Sequence, residues 1–165
     1  MPRLFVHVEG QTEQTFVDEI LRPHLLSKGY WDVTPGILGN PRRRGGIPSW
    51  AEARRDIARH LKEDRGCVAT TMVDYYGLPS SGNRAWPGRV DAINAENPEK
   101  AGLIENALML DLESEMGKRF DARRFVPFVD EPILTVFSVS LCLCGEVPCQ
   151  RVSASPGPRP ARRSG

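Results

Sequence analysis

The amino-acid sequence predicts an α/β fold: a mostly parallel sheet flanked by helices, in a single domain with a disordered C-terminal tail. Three observations lead there. Short apolar runs rich in strand formers alternate with stretches of helical period. The runs carry so little charge that both of their faces suit burial, as in a parallel sheet. Their ends are marked by acids or turn-forming residues. At 165 residues the chain is long enough for one domain with a real core and too short for two comfortable ones.

The first strand is Leu4, Phe5, Val6 and Val8, broken only by His7 and ended by Glu9-Gly10. Phe16, Val17, Ile20, Leu21 and Leu25 then recur at helical spacing. Thr12 serves as the expected N-cap, and the helix stops near Gly29. Residues 31–38, with Trp31, Val33, Ile37 and Leu38, form a second strand that Pro35 and Gly36 shorten or bend. A loop over 39–48 leads to Ser49, the expected cap of a helix reaching about Asp64. Trp50, Ile57 and Leu61 face inward on it, with Arg54, Arg55 and Lys62 outside. Residues 68–74 are a β-branched, nearly uncharged third strand closing on an acid. Strand, helix, strand, helix, strand implies right-handed crossovers.

Residues 75–98 read as a long loop, functional or mobile. A third helix over 98–116 carries Ala101, Ile104, Leu108 and Leu112 on one face, and Gly117 ends it. Residues 123–129 make a fourth strand, with Phe125, Val126 and Phe128 as its apolar body. Beyond it the composition changes. Residues 133–143 are apolar and lean towards strand, whereas 145–165 have almost nothing to bury and read as disordered. The expected domain is therefore 1–144.

Bulk composition excludes more than it identifies. A formal net charge of +1 with 26% charged residues gives no reason to expect an acidic or polyanionic partner, so any electrostatic argument must be local. No stretch is long and apolar enough to span a membrane and no secretory leader is visible, so a cytoplasmic protein without membrane contact is expected. Cys67, Cys142, Cys144 and Cys149 are too unevenly placed for a disulfide scaffold and lack a fourth ligand at zinc spacing. The absence of Gly-x-Gly-x-x-Gly, of a Gly-Lys-Ser phosphate loop and of a recognisable Ser/His/Asp set argues against dinucleotide oxidoreductases, P-loop ATPases and α/β-hydrolases.

Glu9 and Asp74 each close an apolar strand, and parallel strands bring ends of one sense to one edge. Two carboxylates there repel each other, and a divalent cation, Mg²⁺ or Mn²⁺, would relieve the repulsion. Glu13, one turn into the helix, faces the same space. The alternative is that these acids are solvated turn residues. Arg42-Arg43-Arg44-Gly45-Gly46 follows the second strand, and so belongs to the same edge. Guanidinium groups and glycine backbone suit phosphate, while a solvated charge run is the alternative. Tyr75 and Tyr76, just after Asp74, offer a stacking surface for a base, or simple packing.

Val8-Glu9-Gly10-Gln11-Thr12-Glu13 with Phe16-Val17, the arginine–glycine loop, and Thr70-Thr71-Met72-Val73-Asp74-Tyr75-Tyr76-Gly77-Leu78-Pro79 together resemble a bacterial family numbered 4276 among the domains of unknown function. That family is similar to the Toprim superfamily, the metal-binding domain of topoisomerases, primases and some nucleases. The resemblance covers about residues 1–129 and implies a Rossmann-like fold. It also implies a Mg²⁺- or Mn²⁺-dependent phosphodiester enzyme acting on nucleic acid. Relatives resemble components of prokaryotic defence systems, often beside a partner ATPase. Glu9 matches the superfamily glutamate, an acid/base or metal-assisting group, and Asp74 the first aspartate of its Asp-x-Asp metal motif. Tyr76 stands where the second aspartate belongs, and Asp130-Glu131-Pro132-Ile133 departs from the family's next helix, which suggests a truncated or frame-shifted C-terminus. A non-catalytic nucleic-acid- or protein-binding subunit, or a degenerate gene product, is the alternative expectation.

Overall fold

The computed structural model describes residues 2–39, 46–96 and 99–130. These residues build a parallel α/β sheet with helices on both faces. In chain order they form β1 (Arg3–Val8), α1 (Gln11–Phe16), a π-helical turn (Val17–Leu21), α2 (Arg22–Ser27) and β2 (Asp32–Ile37). Then come α3 (Trp50–Glu63), β3 (Cys67–Asp74), α4 (Arg89–Ile93), α5 (Glu99–Met116), β4 (Phe125–Val126) and β5 (Val129–Asp130). The strand order is β2-β1-β3-β4, with β5 also on β3. All the pairings are parallel.

β1 lies between β2 and β3, with Val8 opposite Ile37 on one side and Met72 on the other. Alternation sorts its side chains. Leu4, Val6 and Val8 point into a core shared with Val17, Leu21, Leu25 and Val33. On β3, Ala69 and Val73 point the other way, into a second core with Ile57, Leu61, Ile104, Leu108 and Leu112. The helical segments over Gln11–Ser27 thus cover one face, and α3 with α5 cover the other.

Local chemistry explains where the elements depart from expectation. The first helix is capped by Gly10, not Thr12: the Glu13 side chain accepts from the Gly10 N–H at 3.1 Å, while Thr12 is exposed inside the helix. The same helix contains a π turn just ahead of Pro23. Proline cannot donate to the carbonyl four residues back, and a widened turn accommodates its ring. Ser49 does cap α3, accepting from the Glu52 N–H. Residues 75–96 are not an open loop. Trp86 is buried and donates through Nε1 to the Pro48 carbonyl at 3.0 Å, Tyr75 Oη donates to the Ala92 carbonyl, and α4 lies within the segment. The apolar segment over 133–143 expected as a strand, the tail over 145–165, and Cys142, Cys144 and Cys149 lie outside the described residues.

The fourth strand is split into β4 and β5 because Pro127 has no N–H to give the ladder. Threonines of β3 bridge the gap. Thr70 Oγ1 donates to the Val126 carbonyl at 2.6 Å, and Thr71 Oγ1 both accepts from the Phe128 N–H and donates to its carbonyl at 3.0 Å. Arg123 and Arg124 lie in a 3₁₀ turn before β4, where Arg124 donates to the carbonyls of Leu61, Asp64 and Cys67 and pins the strand's start.

His7 is buried on the α3 face of β1, edge-on to His60 and beside Phe5, whose ring stacks on His60. Gly36 leaves room for that ring: a Cβ at Gly36 would run into the Phe5 ring. Burial first, then the neighbouring His60 and Arg59, hold the His7 imidazole down at about 3.

Two outcomes follow from these contacts. Thr71→Val keeps the shape but strips the Phe128 backbone of both partners. It costs about 1–3 kcal/mol in chemical denaturation, and Thr71→Ser recovers most of it. From pH 6.5 down to about 3 the unfolded chain takes up a proton that folded His7 refuses. Stability therefore falls with acidification, by a slope approaching about 1.4 kcal/mol per pH unit. His7→Leu flattens that slope between pH 6 and 4 relative to the parent protein.

Candidate functional site

The chain leaves β1 for β2 at one edge, then crosses back to β3 on β1's other side. The gap beyond the carboxyl ends of β1 and β3 is therefore the sheet's topological switch point, where open α/β sheets bind ligands. Glu9 follows β1 there and Asp74 ends β3 there. The acids read as a pair from sequence are brought to one rim.

Glu9 is half-buried in a tight seat. A Cβ added to Gly77 would lie 3.4 and 3.6 Å from its carboxylate oxygens and 3.0 Å from Ile47 Cδ1. Gly77 thus lets the turn after β3 close over Glu9. Desolvation, then the charges of Glu13 and Asp74, raise the Glu9 carboxyl above its ordinary value, and the Asp74 backbone N–H partly opposes them by hydrogen bonding the carboxylate. Asp74 is exposed, and its Oδ1 accepts from the Tyr76 N–H at 3.1 Å, which fixes the carboxylate over the start of the turn. Glu13 serves as the helix cap and reaches the rim through its charge.

The other sequence candidates fall in different places. Tyr76 stands 65% exposed beside Asp74, its ring edge-on to buried Tyr75. Gly46 has a positive φ of 91° and precedes Ile47, which touches the Gly77 turn. Arg42, Arg43, Arg44 and Gly45 lie outside the described residues. The register also pairs Asp130 with Asp74, bringing a further acid to this end of the sheet. Its signal was legible: residues 128–130 repeat the pattern of an apolar strand closing on an acid, one residue past the expected end of the fourth strand.

Among the described residues, no group of three or more His, Cys, Asp or Glu side chains converges as a ready metal cage. Mg²⁺ asks for less, since it is commonly held by one or two carboxylates with water and substrate phosphate completing the shell. Glu9 and Asp74 suit that open kind of seat. The groove along α3, lined by Arg54, Arg55, Arg59 and Lys62 among others, shares no residue with the rim. Its Arg54 is engaged by Asp111 and Glu115, and its Arg59 by Asp56. No helix among the described residues is long and apolar enough to cross a membrane.

Fold and rim together define a parallel α/β protein with an acidic site at its switch point. The chain belongs to the family described as Domain of unknown function (DUF4276), whose pattern matches residues 8–130. That span takes in Glu9, Glu13, Asp74, Gly77 and Asp130. No curated protein and no solved structure matches the chain.

A raised carboxyl gives a test that needs no substrate. The folded state binds the Glu9 proton more tightly than the unfolded state, so ionised Glu9 lowers stability once pH rises above the ordinary glutamate range. Glu9→Gln is expected to raise the melting midpoint at pH 7 and leave it unchanged at pH 3, measured in EDTA by circular dichroism.

Proposed function

We propose that this is a Toprim-like protein acting on phosphodiester bonds of nucleic acid with Mg²⁺ or Mn²⁺ at Glu9 and Asp74. The observation that carries the reading is the pairing of those two carboxylates at the switch point, close enough for Asp74 to raise the Glu9 carboxyl. A divalent ion bound there would polarise a phosphoryl oxygen and orient water. Glu9, with its raised proton affinity, is the acid/base group of the site. Asp74, exposed and fixed by the Tyr76 N–H, is the accessible ligand. Tyr76 supplies a flat exposed ring on which a base can stack.

A second reading, a binding subunit without catalysis, is favoured by one specific feature: an exposed tyrosine occupies the place of the motif's second aspartate, and among the described residues no three His, Cys, Asp or Glu side chains group as a metal site. Under that reading the protein holds nucleic acid for a partner, such as an ATPase of a prokaryotic defence system.

One experiment separates them. Mn²⁺ binding is measured by titration calorimetry, and cleavage of single-stranded DNA and RNA by gel assay, in the parent, Glu9→Gln and Asp74→Asn proteins. The enzyme reading expects Asp74→Asn to weaken Mn²⁺ roughly tenfold or more, as loss of a charged ligand does, and either substitution to abolish cleavage. Strand binding without cleavage or metal binding in the parent protein establishes the second reading.

A further inference from the structure

Beside the acidic rim lies a cationic cluster that the acids do not explain. Tyr75, the residue after Asp74, is buried, and two cations cover its ring. The Arg89 guanidinium carbon sits 4.1 Å from the ring centre and Lys100 Nζ 5.7 Å from it. Arg89 comes from the start of α4 and Lys100 from the start of α5, so three separate parts of the chain meet at one aromatic ring. The bland explanation is that both stems shield Tyr75 while their charges reach water.

Three features go beyond shielding. Neither cation forms an ion pair among the described residues, although the rim's carboxylates belong to the same end of the sheet. Arg89 uses Nη1 to donate to Tyr75 Oη at 2.9 Å, while its Nε–H is buried with no acceptor. With Nη1 held by Tyr75 and Nε turned into the protein, Nη2 is the guanidinium nitrogen left to meet an anion from outside, and a charged group that finds no counter-charge in the fold is one that a phosphate can satisfy. Lys100, for its part, adds positive charge in the first turn of an 18-residue helix whose dipole is already positive there, and the one acid of that turn, Glu99, makes no ion pair with it. Two cations with no counter-charge on them at one ring are an arrangement that suits an anion.

We propose that Arg89 and Lys100 form a phosphate seat for a nucleic-acid strand, flanking the acidic rim with Tyr76 as the adjoining stacking surface. The identity of the ligand rests on the phosphodiester reading above; the seat itself rests on the cation cluster. The strand would lie with one phosphate on Arg89 and Lys100 and the next bond towards Glu9 and Asp74. Negative charge would then be met by the cations on one side of the turn and by the metal seat on the other. The seat lies outside the arginine–glycine loop that the sequence singles out for this role.

The test uses the full chain in EDTA, so that binding is read apart from cleavage. Fluorescence anisotropy follows labelled dT12 and rU12 across a salt series for the parent protein, Lys100→Ala, Arg89→Gln, Arg89→Lys and the exposed control Lys118→Ala. The seat predicts roughly tenfold weaker binding for Lys100→Ala and Arg89→Gln. It also predicts a salt slope shallower by about 0.7 for each lost contact to a single strand. Arg89→Lys keeps the slope but not the full affinity, because it keeps the charge and loses the guanidinium held in place by Tyr75 Oη. Lys118→Ala changes neither. Thermal melts accompany each variant, and if the Arg89 variants melt early then Lys100→Ala, which removes no hydrogen bond among the described residues, decides alone. Parental affinity and slope in Lys100→Ala overturn the seat, as does failure of the parent protein to bind either strand. Loss of binding in these variants, with no cleavage of either strand by the parent protein in Mn²⁺, would instead overturn the phosphodiester reading and leave the seat standing.

Discussion

The site depends on a backbone constraint: β1 is hydrogen-bonded in parallel along both of its edges. Parallel pairing aligns strand ends of the same sense, so whatever follows β1 and whatever ends β3 must share one rim. The order β2-β1-β3 then separates the outgoing connections of β1 and β3 to opposite sides of the sheet and opens a gap between them. Glu9 and Asp74 meet there without any direct bond between their side chains. Leu4, Val6 and Val8, fully buried against Val17, Leu21 and Leu25, supply the burial that holds β1 in that central position.

The rim is built against stability. Glu13 is committed to the helix cap, yet its charge adds to that of Asp74 on a half-buried Glu9. Gly77 gives up a side chain so that the turn can close on the Glu9 carboxylate. Exposed turn acids that serve only solubility stay in water and keep ordinary proton affinity. Here desolvation is the largest influence on Glu9, so the fold withdraws water from a charge it then surrounds with like charges. Arrangements of this kind, clustered at a strand-end gap, are characteristic of functional sites.

Much of this architecture was legible in the sequence because it arises from local pattern. The uncharged runs gave β1, β2 and β3, Ser49 gave the start of α3, and the spacing of Ile104, Leu108 and Leu112 gave α5. What escaped the sequence depends on partners remote in the chain. Thr12 looked like the cap, but Glu13 reaching back to the Gly10 N–H starts the helix earlier. Residues 75–96 looked open because their composition is that of a loop. Their order comes from Trp86 reaching Pro48 and from Arg84 reaching the Ile47 carbonyl, contacts between residues 38 and 37 apart in the chain. His60 showed no partner in sequence, since Phe5 and His7 face it only once β1 lies under α3. Of the candidate site, Glu9, Asp74 and exposed Tyr76 were readable as strand-end residues. Arg89 and Lys100 were not, because helix-start cations carry no signal until folding sets them over Tyr75.

Asp130 shows how far the rim's chemistry depends on distant packing. It stands opposite Asp74 only because β5 pairs with β3 beyond the break at Pro127. A proline there would normally let the chain drift from the sheet, since one ladder bond is missing and two residues separate the paired segments. Thr70 and Thr71 replace the missing ladder with side-chain bonds to Val126 and Phe128. Glu105 Oε1 of α5 accepts from the Val129 N–H at 3.0 Å, holding β5 from its other side. Neither threonine is near the acids by chemistry, and neither would be chosen as a site residue. Yet β-branched side chains that can also hydrogen-bond are what this strand needs, and valine would satisfy only the first requirement. The acidic end of the sheet is thus assembled by a polar repair inside its core, three and four residues back along β3 from Asp74.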